Sequence, residues 1–179
     1  MVHPPRVPPA TAPRVTVVHL PPAALDALAA GDLAAASAVS PVPLPPAVGA
    51  PDLRWLWRLR SEQVRADPAA AAWVTGVLRA GDLGLVVGHA GFHGPPDEHG
   101  TVEVGYAVAP EHRRRGYARA ALGALLRRAA EEPDVRTVRA TVSPDNVASR
   151  ALVDSCGFVA VGEQWDEVDG LEVVLERAV

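Results

Sequence analysis

Between Thr101 and Val108 the chain alternates: Val102, Val104, Tyr106 and Val108 stand against Thr101, Glu103, Gly105 and Ala107. A period of two predicts a strand with two unlike faces, and Pro110 ends it. Beyond Gly116 the period changes. Ala118, Ala121, Leu122, Leu125, Leu126 and Ala129 recur at spacings of three and four, which predicts a helix starting near Gly116, with Arg119, Arg127 and Arg128 off its apolar stripe.

The other elements follow from the same two periods and their punctuation. Arg14 to Leu20 alternates as a first strand, and Pro21 and Pro22 open a helical stretch that Gly31 divides. Residues 40–51 are too rich in proline for a regular element and predict an extended loop. Asp52 opens a helix in which Leu53, Leu56, Trp57 and Val64 share a face, with Trp55 and Arg58 elsewhere on the wheel. Asp67-Pro68 predicts another helix, running through an alanine-rich stretch to a stop at Gly81. Residues 83–92 read as two short strands or one bent strand, and residues 94–100 as a loop into the central strand. A break at residues 131–134 precedes a strand from Val135 to Val142. Val147, Ala148, Ala151 and Leu152 form a short helix face stopped by Gly157, and the chain closes in a hairpin around Val168-Asp169-Gly170. This order predicts an α/β (α+β) fold with a mostly antiparallel sheet flanked by helices.

Composition narrows the class. The chain has 179 residues, 49% of them hydrophobic, and a formal net charge of −4. It is long enough to bury a core without disulfides or a structural metal, and predicts one domain over residues 14–179 behind a proline-rich tail at residues 1–13. The acidic pI of about 5.8 argues against a dedicated nucleic-acid binder. No apolar run reaches the roughly 20 residues of a membrane span, and the start lacks the apolar stretch of a signal peptide, so neither a membrane nor export is expected. Cys156 is the single cysteine, which suits a reducing cytoplasm and excludes a thiolate cluster. All 17 basic residues are Arg, as in a GC-rich coding sequence, and Asn146 is the only Asn.

Chemistry concentrates where the central strand meets the central helix. A helix start exposes unpaired N–H groups and the positive end of the dipole, and Arg113, Arg114 and Arg115 stand immediately before this one. Gly116 and Ala118 keep the turn slim enough for a phosphate to reach backbone amides. On the strand, Glu103 shares a face with Gly105 and Ala107, whose small side chains leave room for a bound molecule, and is a candidate general base, acting directly or through a water. A salt-bridged or solvent-facing glutamate is the plainer alternative.

The run Arg113-Arg114-Arg115-Gly116-Tyr117-Ala118 resembles the Arg/Gln-x-x-Gly-x-Gly/Ala motif of the GNAT acyltransferase superfamily, which grips the pyrophosphate of acyl-coenzyme A. Glu103 to Pro110 resembles the strand before that motif in the branch containing ribosomal-protein N-terminal acetyltransferases. Ser143 to Phe158 is similar to that branch's second signature, with Asn146 and Ser149 three apart before a Gly-Phe pair. Signatures in this order across about sixty residues are more specific than a glycine turn alone. The resemblance implies acetyl-coenzyme A as acyl donor, an amine acceptor (a protein N-terminus or a small molecule) and direct transfer. It implies coenzyme contacts at Val108, whose backbone faces the pantetheine where the strand splays from its neighbour, at the turn from Arg113 through Tyr117 to Ala118, and at Asn146 and Ser149. Glu103 falls at the place of the family's glutamate. Asn146 also reads as a helix N-cap, and the two roles are compatible. A homodimer is left open.

Val153 stands where many relatives carry a tyrosine that protonates the leaving thiolate, so Ser155 or water would have to serve. A non-catalytic coenzyme A binding or sensing module is the alternative from another class. Cys156 reads as a small core residue rather than an acyl carrier. His89, His93 and His99, with Asp97 and Glu98, lack the spacing of a metal site, and no metal is expected, though this loop is placed at the rim of the acceptor site. Neither a Gly-x-x-x-x-Gly-Lys loop nor a Gly-x-Gly-x-x-Gly turn occurs.

Overall fold

A computed structural model of the chain describes residues 12–167 and 170–179. Residues 1–11 of the expected tail, and Val168 and Asp169 of the expected hairpin turn, lie outside the described residues. The element order is β1 (Val15–Val18), α1 (Pro22–Ala30), α2 (Leu33–Val39), α3 (Arg54–Ala66), β2 (Gly76–Ala80), β3 (Val86–Phe92), β4 (Thr101–Val108), α4 (Tyr117–Glu131), β5 (Thr137–Val142), α5 (Val147–Ser155), β6 (Val159–Asp166) and β7 (Gly170–Ala178). The strands form one seven-stranded sheet in the order β1-β2-β3-β4-β5-β7-β6. Every described pairing between named strands is antiparallel except β4 with β5, which is parallel.

The two faces of β4 decide how the sheet is covered. Val102, Val104 and Val108 point into a core built with Leu122, Leu125 and Leu126 of α4, Phe92 of β3 and Val138 of β5. The opposite face of the sheet packs on α1 and α3, where Leu25, Leu28, Trp57 and Val77 are buried together. Trp57 is fully buried, and its indole N–H donates to the Val48 carbonyl at 2.8 Å, which ties α3 to the proline-rich segment before it. That segment is not wholly extended: it includes short 3-10 turns at Pro46–Gly49 and Pro51–Leu53. The division at Gly31 is as the sequence predicts, with a left-handed φ of 81° between α1 and α2.

One predicted element is overturned. The helix expected from Asp67-Pro68 to Gly81 is only a 3-10 turn over Pro68–Ala72, and the second half of the segment is β2. A Cβ on Gly76 would stand 2.4 Å from the Val18 carbonyl oxygen, so glycine is what lets β2 close against the end of β1. Sheet pairing on both sides, to β1 and to β3, outweighs the weak helical preference of the alanine run.

Candidate functional site

The register around β4 opens a gap in the middle of the sheet. On one side β4 pairs with β3 over its whole second half, from Phe92↔Val104 to Gly88↔Val108. On the other it pairs with β5 only over Thr101↔Thr137, Val102↔Val138 and Glu103↔Arg139. His93 N–H donates to the Glu103 carbonyl, and Ala109 N–H to the Val87 carbonyl, at 2.8 and 2.9 Å. Residues 103, 105, 107 and 109 therefore spend their backbone groups on β3, and by alternation those of Val104, Tyr106 and Val108 face the gap toward β5. The Val108 N–H thus faces the gap rather than β3. The Val108 carbonyl accepts a hydrogen bond from Arg113 Nε at 3.0 Å, so Arg113 folds back over the end of the strand.

The far wall of the gap is the start of α5. Asn146 is its N-cap, with Oδ1 accepting from the Ser149 N–H at 3.1 Å. The Ser149 hydroxyl lies 3.1 Å from the Tyr106 hydroxyl, a bond that bridges β4 and α5. Burial is the main cause that raises the Tyr106 phenol above its ordinary range, with the Ser149 contact opposing it.

The basic turn sits at the mouth of this gap. Arg113, Arg114, Arg115 and Gly116 are exposed, and Arg114 is the one non-glycine residue with positive φ (63°) among the described residues. Gly116 follows at φ 85° and caps α4 without a side chain. The first intrahelical acceptor is the Gly116 carbonyl, bonded by the Ala120 N–H at 3.0 Å, so the N–H groups of Tyr117, Ala118 and Arg119 have no intrahelical partner. The Tyr117 side chain points the other way: it is buried, with its hydroxyl donating to Asp82 Oδ2 at 2.9 Å. Of Tyr117, the backbone amide rather than the ring belongs to the turn.

Glu103 is on the opposite face, with 25% of its side chain exposed. Its Oε1 accepts from the Thr141 hydroxyl at 2.6 Å and lies 3.5 Å from His93 Nδ1. The room expected over the small residues is divided. Above Gly105 it is filled, since a Cβ there would stand 2.8 Å from His93 Nε2. Above Ala107 it opens into a cavity of about 460 Å³, walled by the segment Pro43–Leu53, by His89 and by the turn from Ala109 to Arg113, with Asp52 and Glu111 among its lining residues.

The charged residue that shapes this face is Arg60, buried on α3. It donates to the Thr75 hydroxyl (3.1 Å), the Gln63 side chain (2.8 Å) and the His93 carbonyl (3.1 Å). Burial lowers its pKa to about 10, with the Glu103 charge opposing. Sequence reading passed over Arg60, yet it falls on the stripe of Leu56, Trp57 and Val64, and a charge on an apolar stripe is the signal that marks it. The three histidines do not converge. His99 pairs with Glu98 at 3.6 Å on an exposed loop, His93 faces Glu103, and His89 lies edge-on to Trp57, with ring centres 6.1 Å apart. Among the described residues no group of three or more His, Cys, Asp or Glu is placed to hold a metal ion.

The sequence alternatives for a proton donor fare unequally. Val153 is fully buried in the α4 core, and the Ser155 hydroxyl donates to the Leu152 carbonyl (2.7 Å) while accepting from Arg119 (2.9 Å). Cys156 is half-buried against the same core. No described helix is long and apolar enough to cross a membrane.

Comparison with known proteins bears on the family and the fold. The model of the acetyltransferase (GNAT) domain family matches residues 14–159. An uncharacterized N-acetyltransferase of Bacillus subtilis, YjdG, is 36% identical over 74 residues, which are 41% of this chain and 44% of that protein. The chain thus spans less than half the length of that relative. Among solved structures, Mycobacterium smegmatis RimJ in complex with CoA-disulfide superposes with a TM-score of 0.65 at 19% identity, over 94% of this chain and 86% of RimJ. A spermidine N-acetyltransferase SpeG chimera from Vibrio cholerae and hSSAT gives a TM-score of 0.64 at 16% identity, over 92% and 95%. At these identities the two structures speak for the fold.

Proposed function

The chain belongs to the GNAT acetyltransferase family, and from that premise we propose that it moves an acetyl group from acetyl-coenzyme A directly to a primary amine. The observation that carries this reading is the gap between β4 and β5, which opens beyond Glu103↔Arg139 and runs toward the uncapped, arginine-flanked start of α4. In it the pyrophosphate rests on the turn from Arg113 to Ala118, where backbone amides, the helix dipole and guanidinium groups all favour an anion. The pantetheine amides run along the gap, past the Val108 N–H on one wall and Asn146 and Ser149 on the other. The thioester then meets the acceptor on the Glu103, Gly105 and Ala107 face.

The acceptor enters through the cavity over Ala107. Its apolar walls suit a carbon chain, and Asp52 and Glu111 favour an ammonium group. Attack needs the neutral amine, so a proton must leave toward Glu103, directly or through an intervening group. Positioning two reactants in one cleft supplies the rest of the rate, because a bimolecular encounter becomes a local one.

A coenzyme A binding or sensing module is the second reading. It is favoured by Val153, whose complete burial leaves α5 without a proton donor at that position. Incubation with acetyl-coenzyme A and a panel of polyamines, amino acids, aminoglycosides and peptide N-termini, read by free thiol and by mass spectrometry, separates the two. Acetylated product supports the transferase. Tight coenzyme binding with no product from any amine supports the module.

A further inference from the structure

Resting on the transfer reading above, we propose that His93 is the group that takes the proton from the acceptor amine, and that Glu103 is the positioning residue behind it.

Anchoring of His93 supports this first. It follows directly on β3, its N–H donates to the Glu103 carbonyl (2.8 Å), and its carbonyl accepts from Arg60 Nη1 (3.1 Å) and Gln63 Nε2 (2.7 Å). The backbone is thus clamped between β4 and α3, and the imidazole projects from a fixed point. The ring's two nitrogens have different surroundings. Nδ1 faces Glu103 Oε1 at 3.5 Å, and that oxygen is held from β5 by the Thr141 hydroxyl at 2.6 Å. Nε2 lies over Gly105, 2.8 Å from where a Cβ would be. A carboxylate at Nδ1 favours the tautomer with the proton there and leaves the lone pair on Nε2, which is the logic of a base oriented by a third group. The Nδ1 contact is long for a hydrogen bond, and catalytic contacts of this kind commonly tighten only in the substrate complex.

Position along the strand decides between the two candidates. The acceptor cavity begins at Ala107. Glu103 is four residues away, about 13 Å at the rise of a strand, whereas His93 Nε2 lies over Gly105, about 7 Å away. His93 also keeps 44% of its side chain open to solvent against 25% for Glu103. The imidazole therefore stands between the carboxylate and the place where the amine arrives.

Charged groups facing the ring, among the described residues, are Glu103 from β4 and Arg60 from α3. Partial burial lowers the His93 pKa from its ordinary value, Glu103 opposes this, and Arg60 adds to it. The lowered pKa favours the neutral imidazole, the form that accepts a proton. In the transfer the amine nitrogen bonds to the acetyl carbon and one N–H proton passes to Nε2. The carbon–sulfur bond breaks with its electron pair leaving on sulfur. The imidazolium, stabilised by Glu103, returns its proton to solvent, and the thiolate takes one from solvent, so amine and thioester become amide and thiol.

The test uses the full chain, acetyl-coenzyme A and an amine that the panel shows to be a substrate, with kcat/KM measured across pH. His93→Gln should lower kcat by about 100-fold with little change in the KM for acetyl-coenzyme A, and should abolish the acid limb. Glu103→Gln should lower kcat but keep the limb, moved to lower pH, because it removes the charge that raises the His93 pKa. His93→Ala should regain activity with added imidazole, a rescue that a misfolded variant would not show. Arg127→Gln, exposed on α4 away from the site, should match the wild type. A wild-type kcat and limb in His93→Gln, with the limb lost in Glu103→Gln, would overturn the proposal and make Glu103 the direct base. Failure of acetyl-coenzyme A both to stabilise the wild type and to turn over would instead overturn the transfer reading, and this inference with it.

Discussion

Gly116→Asp separates the two things the basic turn does. Gly116 holds φ at 85°, and its missing Cβ would lie 3.3 Å from Pro13 Cδ, a side-chain contact that can give. Any side chain here pays the left-handed cost of roughly 1–2 kcal/mol. Asp adds a charge beside the proposed pyrophosphate. At about 5 Å and an effective dielectric constant of about 20, one unit of like charge costs about 3 kcal/mol, on the order of a 100-fold loss of affinity. Gly116→Ala carries at least the same backbone strain without the charge, so it serves as the control for shape. Calorimetric titration with acetyl-coenzyme A should give a modest loss in Gly116→Ala and a further loss of about 100-fold in Gly116→Asp. Arg127→Asp, on α4 away from the turn, should bind nearly as the wild type does. Equal affinity in Gly116→Ala and Gly116→Asp, or an equal loss in Arg127→Asp, would refute a local anion site and leave only a general effect of charge.

Acetyl-coenzyme A at about 100 times its Kd should stabilise the chain by about 2.7 kcal/mol, read as a rise of several degrees in Tm, and no shift at millimolar cofactor would count against the binding reading. Trp57→Ala removes a fully buried ring and its bond to the Val48 carbonyl, and urea unfolding should show a loss of about 3–5 kcal/mol. His89 has its pKa lowered to about 4, first by burial and then by Arg60, with Asp52 opposing. Because the unfolded chain binds this proton near pH 6.5 and the folded chain does not, the contribution of His89 is complete above about pH 6.5 and is lost as pH falls toward 4, amounting to at most about 3 kcal/mol. His89→Gln should flatten that part of the urea-stability profile, and an unchanged slope would show that other groups set it.

What the sequence determined by itself is the part governed by local period and local chemistry. The two unlike faces of β4, the start of α4 at an arginine-flanked glycine, the division at Gly31 and the capping of α5 by Asn146 are all properties of a few consecutive residues, and each is found where the pattern puts it. The family was legible for the same reason, since its signatures are short runs. Tertiary structure decided what depends on partners distant in the chain. Pro68 to Ala80 reads locally as helix, but β1 and β3 recruit its second half as a strand, because unpaired edges on both neighbours gain more from a ladder than the alanine run gains from a short helix. The same holds at the site. Glu103 was visible as a carboxylate on a small-residue face, whereas its neighbours Thr141 and His93, and Arg60 behind them, come from β5, the end of β3 and α3. No period in one segment encodes a contact between four of them, so the surroundings of Glu103 exist only once the sheet has closed and α3 has packed across it.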